Sequence, residues 1–302
     1  MYLLPKPKKF SQLEGQLLLS HHTGITMTRE VADTAHHAVI RLLEEVRHST
    51  GLMLQVSVGE AKHGDIFLTV EPGLPEQAYE LTIEETGIRI AGGDGAGVLY
   101  GVESLCQMLE QCGGSLPGCS LKDAPDMLYR GYYFDLTRGR VLKLEELKKI
   151  VDRMCRYKMN QLQLYVEHTY LFRDFSEMWR DQTPLTAEEI LELDRYCRER
   201  HIELVPSLAS FGHLCELLST KTYGELCEME NSWQAPFSFL NRMRYHTINV
   251  SDNRSLTLIK SMITEYMSLF SSDKFNLCAD ETFCLGKYKS KALAEERGVH
   301  RL

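Results

Sequence analysis

After residue 126 the chain alternates short apolar runs with longer amphipathic stretches. The apolar runs are RGYYFDLT, NQLQLYV, IELVPS and FNLCA, which begin at residues 130, 160, 202 and 275. One of the helix-like stretches begins at Thr186 with Glu189 three residues later, which is the pattern of a capping box. Apolar strands that alternate with helices predict parallel βα units, with both faces of each strand buried. A barrel and a doubly wound sheet both fit this pattern.

The first 112 residues follow a different pattern, which predicts a small α+β unit. The strand-like runs GQLLLS and LMLQVSVG flank a stretch with helical spacing of apolar residues, for which Thr28 is the predicted N-cap. DIFLTVEP and AYELTIEETGIRIAG predict antiparallel strands, and a glycine-rich turn then opens a further helix. Residues 113–126 are rich in Gly, Pro, Ser and Asp and predict a linker. We therefore divide the chain into domains 1–125 and 126–302.

Polar residues follow each of the four predicted strands of the second domain. In parallel βα folds, functional groups gather at the carboxyl ends of the strands. The residues at these positions are Asp135 and Arg138, Glu167 and His168, His213, and Asp280 and Glu281. We expect a functional site at this edge of the sheet.

Asp280 and Glu281 are the strongest candidates in this group. Polar groups at a buried strand end are costly unless they are paired or used. Structural acids held in salt bridges are therefore the alternative to a functional pair. Arg138 and His213 at matching strand ends favour a functional cleft, because an Arg, a His and two acids suit acid-base chemistry on an uncharged polar substrate. The same set suits metal or phosphate chemistry less well.

The charge and the cysteine content narrow the class of protein further. A net charge of -8 over 302 residues argues against nucleic acid as a partner, because a polyanion requires clustered Lys and Arg. No run approaches the roughly 18 apolar residues of a membrane span, and the N-terminal MYLLPKPKKF lacks the apolar stretch of a signal peptide. The nine cysteines show no zinc-ligand spacing. We therefore predict reduced thiols, no membrane association and a cytoplasmic location.

Four motifs together resemble the family 20 glycoside hydrolases, the β-N-acetylhexosaminidases. They are YRGYYFDLTR, KMNQLQLYVE, SLASFGHL and FNLCADETF, at residues 129–138, 158–167, 207–214 and 275–283. The unit before residue 125 is similar to the small α/β domain that precedes the catalytic barrel in this family. The resemblance implies a (β/α)8 TIM barrel and removal of terminal β-linked N-acetylglucosamine or N-acetylgalactosamine with retention of configuration. It implies no metal ion and no organic cofactor.

The resemblance also implies roles for particular residues. Glu281 would be the general acid that protonates the leaving oxygen and then the base that activates water. Asp280 would hold the 2-acetamido N–H of the substrate, so that the acetamido carbonyl oxygen attacks the anomeric carbon. The predicted substrate-binding residues are Arg138, which would bind the distal ring hydroxyls, and His213, Glu167 and Asp135, which lie at the other strand ends.

Some features depart from the family pattern. Asn276, Cys278 and Ala279 stand where the acid motif of the family usually has His and glycines, and His168 stands where an acidic residue is expected. The second domain holds about four predicted βα units, whereas a complete barrel has eight and takes about 250 residues. We therefore predict a truncated chain that carries the N-terminal domain and the first half of the catalytic barrel.

Two alternative functions remain open on these residues. One is a non-catalytic carbohydrate-binding or assembly protein, in which the open half barrel pairs with another chain or with a second copy of itself. The other is an enzyme that hydrolyses glycosides without an acetamido group.

Overall fold

The computed structural model describes residues 1–234 and 238–302, apart from the side chains of Trp233 and Met243. These residues form two compact units, each with its own sheet. The first unit consists of Met1–Arg130, Lys149–Asn160 and Tyr196–Ile202, and the second consists of Gly131–Lys148, Gln161–Arg195 and Glu203–Leu302.

The strands are β1 Lys9–Leu18, β2 Gly24–Met27, β3 Gln55–Val58, β4 Ile66–Val70, β5 Tyr79–Glu84, β6 Gly87–Gly92, β7 Ser115–Asp123, β8 Gly131–Asp135, β9 Gln161–Val166 and β10 Glu203–Leu208. The helices are α1 Arg29–Thr34, α2 His36–Thr50, α3 Gly95–Cys112, α4 Leu144–Arg156, α5 Ser176–Trp179, α6 Ala187–Arg198, α7 Cys215–Leu218, α8 Phe239–Tyr245, α9 Asn253–Met267 and α10 Lys291–Arg297. Short 3-10 turns lie at Gly224–Leu226, Ser232–Gln234 and Val299–Arg301.

The first unit is built on a seven-stranded sheet in the order β1-β7-β5-β6-β4-β2-β3. Helix α3 begins at the predicted glycine-rich turn, where the Asp94 carboxylate accepts a hydrogen bond of 2.7 Å from the Gly97 N–H. The helix is buried along most of its length and contacts β4, β5, β6 and β7. The apolar composition of α3 is consistent with this burial, because a helix that is apolar on all sides is stable only when other elements cover it.

The prediction that residues 113–126 form a linker is wrong, because they contain β7. This strand pairs antiparallel with both β1 and β5. Its Pro117 lies where the register of β1 shifts between Gln12 and Gln16, and a Cβ on Gly118 would come within 2.6 Å of the Glu14 carbonyl oxygen. The close approach of β1 therefore requires glycine at position 118, and Pro117 lies beside the bulge, although glycine and proline in a sequence normally indicate a loop.

The prediction for the strands between residues 65 and 92 is correct only in part. The hairpin of β5 and β6 is antiparallel as predicted, whereas β4 pairs parallel with both β2 and β6. β2 was not predicted because it has only four residues, of which three are buried. The single helix predicted after Thr28 is two helices, α1 and α2, separated at Ala35 by a non-helical φ of -132°.

The second unit contains a parallel sheet in the order β10-β9-β8. In β9, Leu162, Leu164 and Val166 are buried on one face, and the alternate residues, Gln161, Gln163 and Tyr165, lie on the other. The predicted capping box is confirmed, since the Thr186 N–H donates to the Glu189 carboxylate (2.9 Å) and the Glu189 N–H donates to the Thr186 hydroxyl (3.2 Å).

The inner face of this sheet carries a chain of hydrogen-bonded polar side chains. The Asn276 amide donates to Gln163 (3.1 Å), Gln163 donates to Gln161 (3.2 Å), and Gln161 donates to Glu203 (3.2 Å). Glu203 also forms an ion pair of 2.7 Å with Lys274. The inner face is therefore more polar than the Val, Ile and Leu layers that usually fill a barrel.

The fourth predicted strand, at residues 275–279, is reduced to a single bridge between Asn276 and Ser207. The Asn276 N–H donates to the Pro206 carbonyl (2.9 Å), and the Leu208 N–H donates to the Asn276 carbonyl (3.1 Å). Pairing stops at Cys278, whose φ of +44° turns the backbone out of the extended region. The fourth βα unit therefore begins with a two-bond contact instead of a regular strand.

Across residues 1–234 and 238–302, no helix has both the length and the apolar composition that crossing a membrane requires.

Candidate active site

A cavity of about 600 Å³ lies at the carboxyl end of the parallel sheet in the second unit. It brings together four of the predicted site residues, which come from segments far apart in sequence. Its lining residues are Tyr133, Arg138, Gln163, Tyr165, His213, Asn276, Cys278, Ala279, Asp280 and Glu281. Arg138, His213, Asp280 and Glu281 therefore lie together at the carboxyl ends of the strands, as the sequence pattern predicts.

Asp280 and Glu281 lie at the rim of the cavity and are exposed, although the sequence predicted a buried strand end. The Glu281 side chain is 39% exposed, and one of its oxygens, Oε2, lies 3.1 Å from Nε2 of His213. The imidazole itself is buried, with 3% of His213 exposed. The contact fixes one carboxylate oxygen of Glu281, so that the second oxygen is available to a molecule in the cavity.

Arg138 is held by Asp135 and by the ring of Tyr165. Its Nε lies 2.6 Å from Asp135 Oδ2, and its guanidinium carbon lies 4.8 Å from the Tyr165 ring centroid. The other Asp135 oxygen accepts hydrogen bonds of 2.9 Å from the N–H groups of Thr137 and Arg138. Asp135 thus fixes both the turn and the side chain of Arg138 beside the cavity.

Glu167 lies behind the cavity wall, where it is 4% exposed. It accepts hydrogen bonds of 2.9 Å from the Tyr165 hydroxyl and from the Arg242 guanidinium of α8. Its N–H donates to the Thr137 hydroxyl at 3.0 Å. The carboxylate therefore supports Tyr165, whose ring lies between Arg138 and His213.

Sequence reasoning missed three residues that line the cavity, namely Tyr133, Gln163 and Tyr165. Three other lining residues, Asn276, Cys278 and Ala279, were noted only as departures from the acid motif. The signal that identifies the missed residues is the alternation of strand residues combined with the parallel register, in which Tyr133 pairs with Gln163 and Asp135 pairs with Tyr165. Once Asp135 is placed on the inner face, the same face must carry these neighbours.

His213, Asp280 and Glu281 also form a group that could hold a metal ion, since their donor atoms lie within 4.8 Å of one another. In the structure, His213 Nε2 and Glu281 Oε2 contact each other directly at 3.1 Å, an arrangement that also suits proton chemistry.

Replacing Gly212 with alanine is expected to disturb the acid pair. A Cβ at this position would lie 2.8 Å from the Asp280 carbonyl oxygen and 3.3 Å from that of Glu281, so the backbone that carries both acids must move. We expect kcat for glycoside hydrolysis to fall by roughly 100-fold, because a misplacement of catalytic groups by about 1 Å has an effect of this size. Steady-state kinetics with a glycoside substrate measure the loss. Gly131→Ala is the matched control, because its Cβ meets no atom closer than 3.5 Å, and an equal loss in that variant would contradict the interpretation.

His168 is expected to make the second unit sensitive to acid. Burial, aided by the positive charge of Arg242, lowers the pKa of His168 to about 4. The imidazole gains a proton more readily in the unfolded chain, so its contribution to stability is present above pH 6.5 and is lost as the pH falls toward 4. The lost free energy of unfolding is about 3 kcal/mol. Urea titrations at pH 7 and pH 4.5 measure it, and an unchanged pH dependence in His168→Gln would count against this assignment.

Comparison with known proteins adds to this geometry. Residues 1–124 match the model of glycosyl hydrolase family 20 domain 2, and residues 128–297 match the model of the family 20 catalytic domain. A β-hexosaminidase of Porphyromonas gingivalis is 23% identical, and the match covers 98% of this chain but 40% of that protein. A β-hexosaminidase of Vibrio furnissii is 25% identical over 98% of this chain and 52% of its own length. The chain thus spans about half the length of these relatives.

Solved structures show the same fold. A family 20 exo-β-N-acetylglucosaminidase from Vibrio harveyi superposes with a TM-score of 0.79 at 22% identity, covering 98% of this chain and 50% of that one. An N-acetyl-β-hexosaminidase from Streptomyces plicatus gives 0.80 at 21% identity, over 99% and 63% of the two chains. The predicted fold class, an N-terminal α/β domain followed by part of a βα barrel, is confirmed. Together with the two family models, these matches establish that the chain belongs to glycosyl hydrolase family 20.

Proposed function

We propose that this chain carries the acid pair of an exo-acting, retaining β-N-acetylhexosaminidase that hydrolyses terminal β-linked N-acetylglucosamine or N-acetylgalactosamine. The observation that carries the proposal is the cavity of about 600 Å³ with Asp280 and Glu281 side by side at its rim. Relatives that match along nearly the whole chain are β-hexosaminidases. Because the chain spans about half of those relatives, the activity of these 302 residues is itself part of the proposal.

In the first step, Glu281 donates a proton to the glycosidic oxygen as the bond from this oxygen to the anomeric carbon breaks. The carbonyl oxygen of the substrate's own 2-acetamido group forms a bond to the same carbon and closes a five-membered ring. Asp280 accepts a hydrogen bond from the acetamido N–H and stabilises the positive charge that develops there. No enzyme nucleophile is needed, which explains why the two acids can be neighbours instead of facing each other across the bond.

In the second step, the Glu281 carboxylate takes a proton from water as the water oxygen bonds to the anomeric carbon. The bond to the acetamido oxygen breaks, and the acetamido group is restored. Two inversions give net retention of configuration. His213 serves both steps by holding one oxygen of Glu281, so that the same oxygen on the cavity side delivers and receives the proton.

The remaining predicted site residues bind or position the sugar in this proposal. Arg138 donates to the distal ring hydroxyls, and Asp135 holds its guanidinium in place. Glu167 does not contact the sugar. It accepts a hydrogen bond from the Tyr165 hydroxyl and so acts by positioning Tyr165. The burial of Glu167 and the position of Arg138 in the cavity wall support these assignments.

Two further expectations accompany the proposal. The domain division at 125/126 is supported by family-model matches that end at residue 124 and resume at residue 128. We further propose a cytoplasmic location, with which the nine free cysteines of the described residues are compatible.

The proposal is tested by incubating the purified 302-residue chain with a chromogenic β-GlcNAc glycoside and with the matching β-glucoside. Turnover of the GlcNAc substrate alone is the expected result, because the glucoside lacks the acetamido nucleophile. Calorimetric titration with N-acetylglucosamine is run on the same preparation.

Each other outcome identifies a different function. Turnover of both glycosides would favour hydrolysis without an acetamido group. Binding of N-acetylglucosamine without any turnover would favour the carbohydrate-binding alternative, and the molar mass in solution would then show whether the half barrel self-associates. If the chain neither binds N-acetylglucosamine nor hydrolyses either glycoside, the proposal for this chain is overturned.

A further inference from the structure

The backbone segment that carries the acid pair is strained at two positions. Cys278 has a φ of +44° and Glu281 a φ of +51°, both in the left-handed region that side chains other than glycine disfavour. Strain of this kind persists only where the surrounding structure holds it in place. The contacts of Cys278 are therefore informative about what orients Asp280 and Glu281.

The Cys278 side chain is held by a triangle of polar contacts. Its Sγ lies 3.0 Å from the Ser207 hydroxyl of β10 and 3.4 Å from the Tyr133 hydroxyl of β8, and these two hydroxyls lie 3.1 Å apart. Ser207 is completely buried and Cys278 is 8% exposed. The thiol thus joins the strained segment to two strands of the sheet at one point.

The backbone on either side of this point is fixed by two neighbouring contacts. The Cys278 N–H donates to the Asn276 side chain at 3.1 Å, and the Ser210 hydroxyl donates to the Leu277 carbonyl at 2.6 Å. Because the Leu277 carbonyl and the Cys278 N–H are both hydrogen-bonded, the backbone that leads to Asp280 and Glu281 is held in one conformation. In this conformation Glu281 Oε2 lies 3.1 Å from His213 Nε2.

We propose that Cys278 is a positioning residue, whose thiol holds the left-handed backbone that presents Asp280 and Glu281 to the cavity. The inference rests on the proposed function for its kinetic consequence, although the geometry it describes is independent of turnover. In this role Cys278 is more than a small residue that fills space, because the backbone conformation depends on the hydrogen-bonding Sγ atom and not only on the small volume of the side chain.

Three substitutions separate the thiol from the backbone conformation. Cys278→Ser keeps a hydrogen-bonding group, Cys278→Ala removes the group and keeps the strain, and Cys278→Gly removes both. We expect kcat on the β-GlcNAc substrate to stay near the wild-type value in Cys278→Ser and to fall at least about tenfold in the other two, with a smaller change in KM, since misalignment chiefly affects the transition state. Cys119→Ala, a buried thiol of β7 in the first unit, is the matched control and should leave kcat unchanged.

A second readout is independent of activity. The ¹⁵N resonance of His213 Nε2 reports its contact with Glu281, and we expect it to be preserved in Cys278→Ser and shifted in Cys278→Ala and Cys278→Gly. Tyr133→Phe, which removes one partner of the thiol from a different strand, should shift the resonance in the same direction. If the wild-type chain lacks turnover, the proposed function fails and this resonance still tests the positioning role.

The opposite pattern would overturn the inference. If Cys278→Gly and Cys278→Ala keep the wild-type kcat and His213 resonance and change only the melting temperature, the side chain is structural. In that case Cys278→Gly would melt at a higher temperature than Cys278→Ala, because only glycine tolerates the positive φ without strain.

Discussion

Glu281→Gln is expected to lower kcat/KM on a β-GlcNAc glycoside with a poor leaving group by roughly 10²–10⁴-fold. Glutamine keeps the size of the side chain and can still receive a hydrogen bond from His213, but it cannot donate a proton to the glycosidic oxygen. Assays with methyl and with 4-nitrophenyl β-GlcNAc measure the effect.

The leaving group provides the control within this experiment. A nitrophenolate departs with little help from an acid, so the bond-breaking step should lose much less activity with the nitrophenyl substrate. Glu295→Gln is the matched variant, since that carboxylate is 69% exposed on α10 and should leave both rates unchanged. Equal losses with both leaving groups would show that Glu281 is not the proton donor.

Arg242→Met is expected to destabilise the second unit by about 3–5 kcal/mol, because it leaves a buried carboxylate without its charged partner. Glu167 is 4% exposed and its Oε2 accepts the hydrogen bond of 2.9 Å from Arg242. Methionine retains much of the apolar stem of arginine, so the loss reports the charge and not the packing. Urea unfolding at pH 7, followed by circular dichroism, measures the change.

A double variant distinguishes an unpaired charge from a damaged helix. In the double variant Arg242→Met with Glu167→Gln, the neutral amide can still accept a hydrogen bond from the Tyr165 hydroxyl. Most of the stability lost in Arg242→Met should therefore return. Arg254→Met removes an exposed arginine and should leave the unfolding midpoint unchanged. If the double variant is no more stable than Arg242→Met, the buried charge does not explain the loss.

The sequence is most informative where apolar alternation and polar strand ends coincide. The runs of β8, β9 and β10 were predicted from their apolar residues, and the positions after them identified Arg138, His213, Asp280 and Glu281 as neighbours. Parallel pairing makes this inference possible, since it brings the carboxyl ends of all the strands to one edge.

Other features depend on contacts that a single sequence does not display. The glycine and proline of β7 indicate a loop until the bulge opposite them in β1 is known. Glu167 has the sequence position of a cavity residue, but its two partners, Tyr165 and Arg242, hold it behind the wall. The exposed acid pair likewise follows a positive φ at Cys278, a conformation that a cysteine in the sequence does not indicate.

The short pairing of residues 275–279 has a consequence for how this site can change in evolution. The segment before the acid pair is joined to β10 by two backbone hydrogen bonds and by the Cys278 side chain, and it is joined to β9 by the side chain of Asn276. A site mounted on a regular strand can be moved only by altering the sheet that carries it. Here, single substitutions among these side chains can reorient both carboxylates while the sheet stays intact, so selection can adjust the geometry of the acids without a cost to the fold.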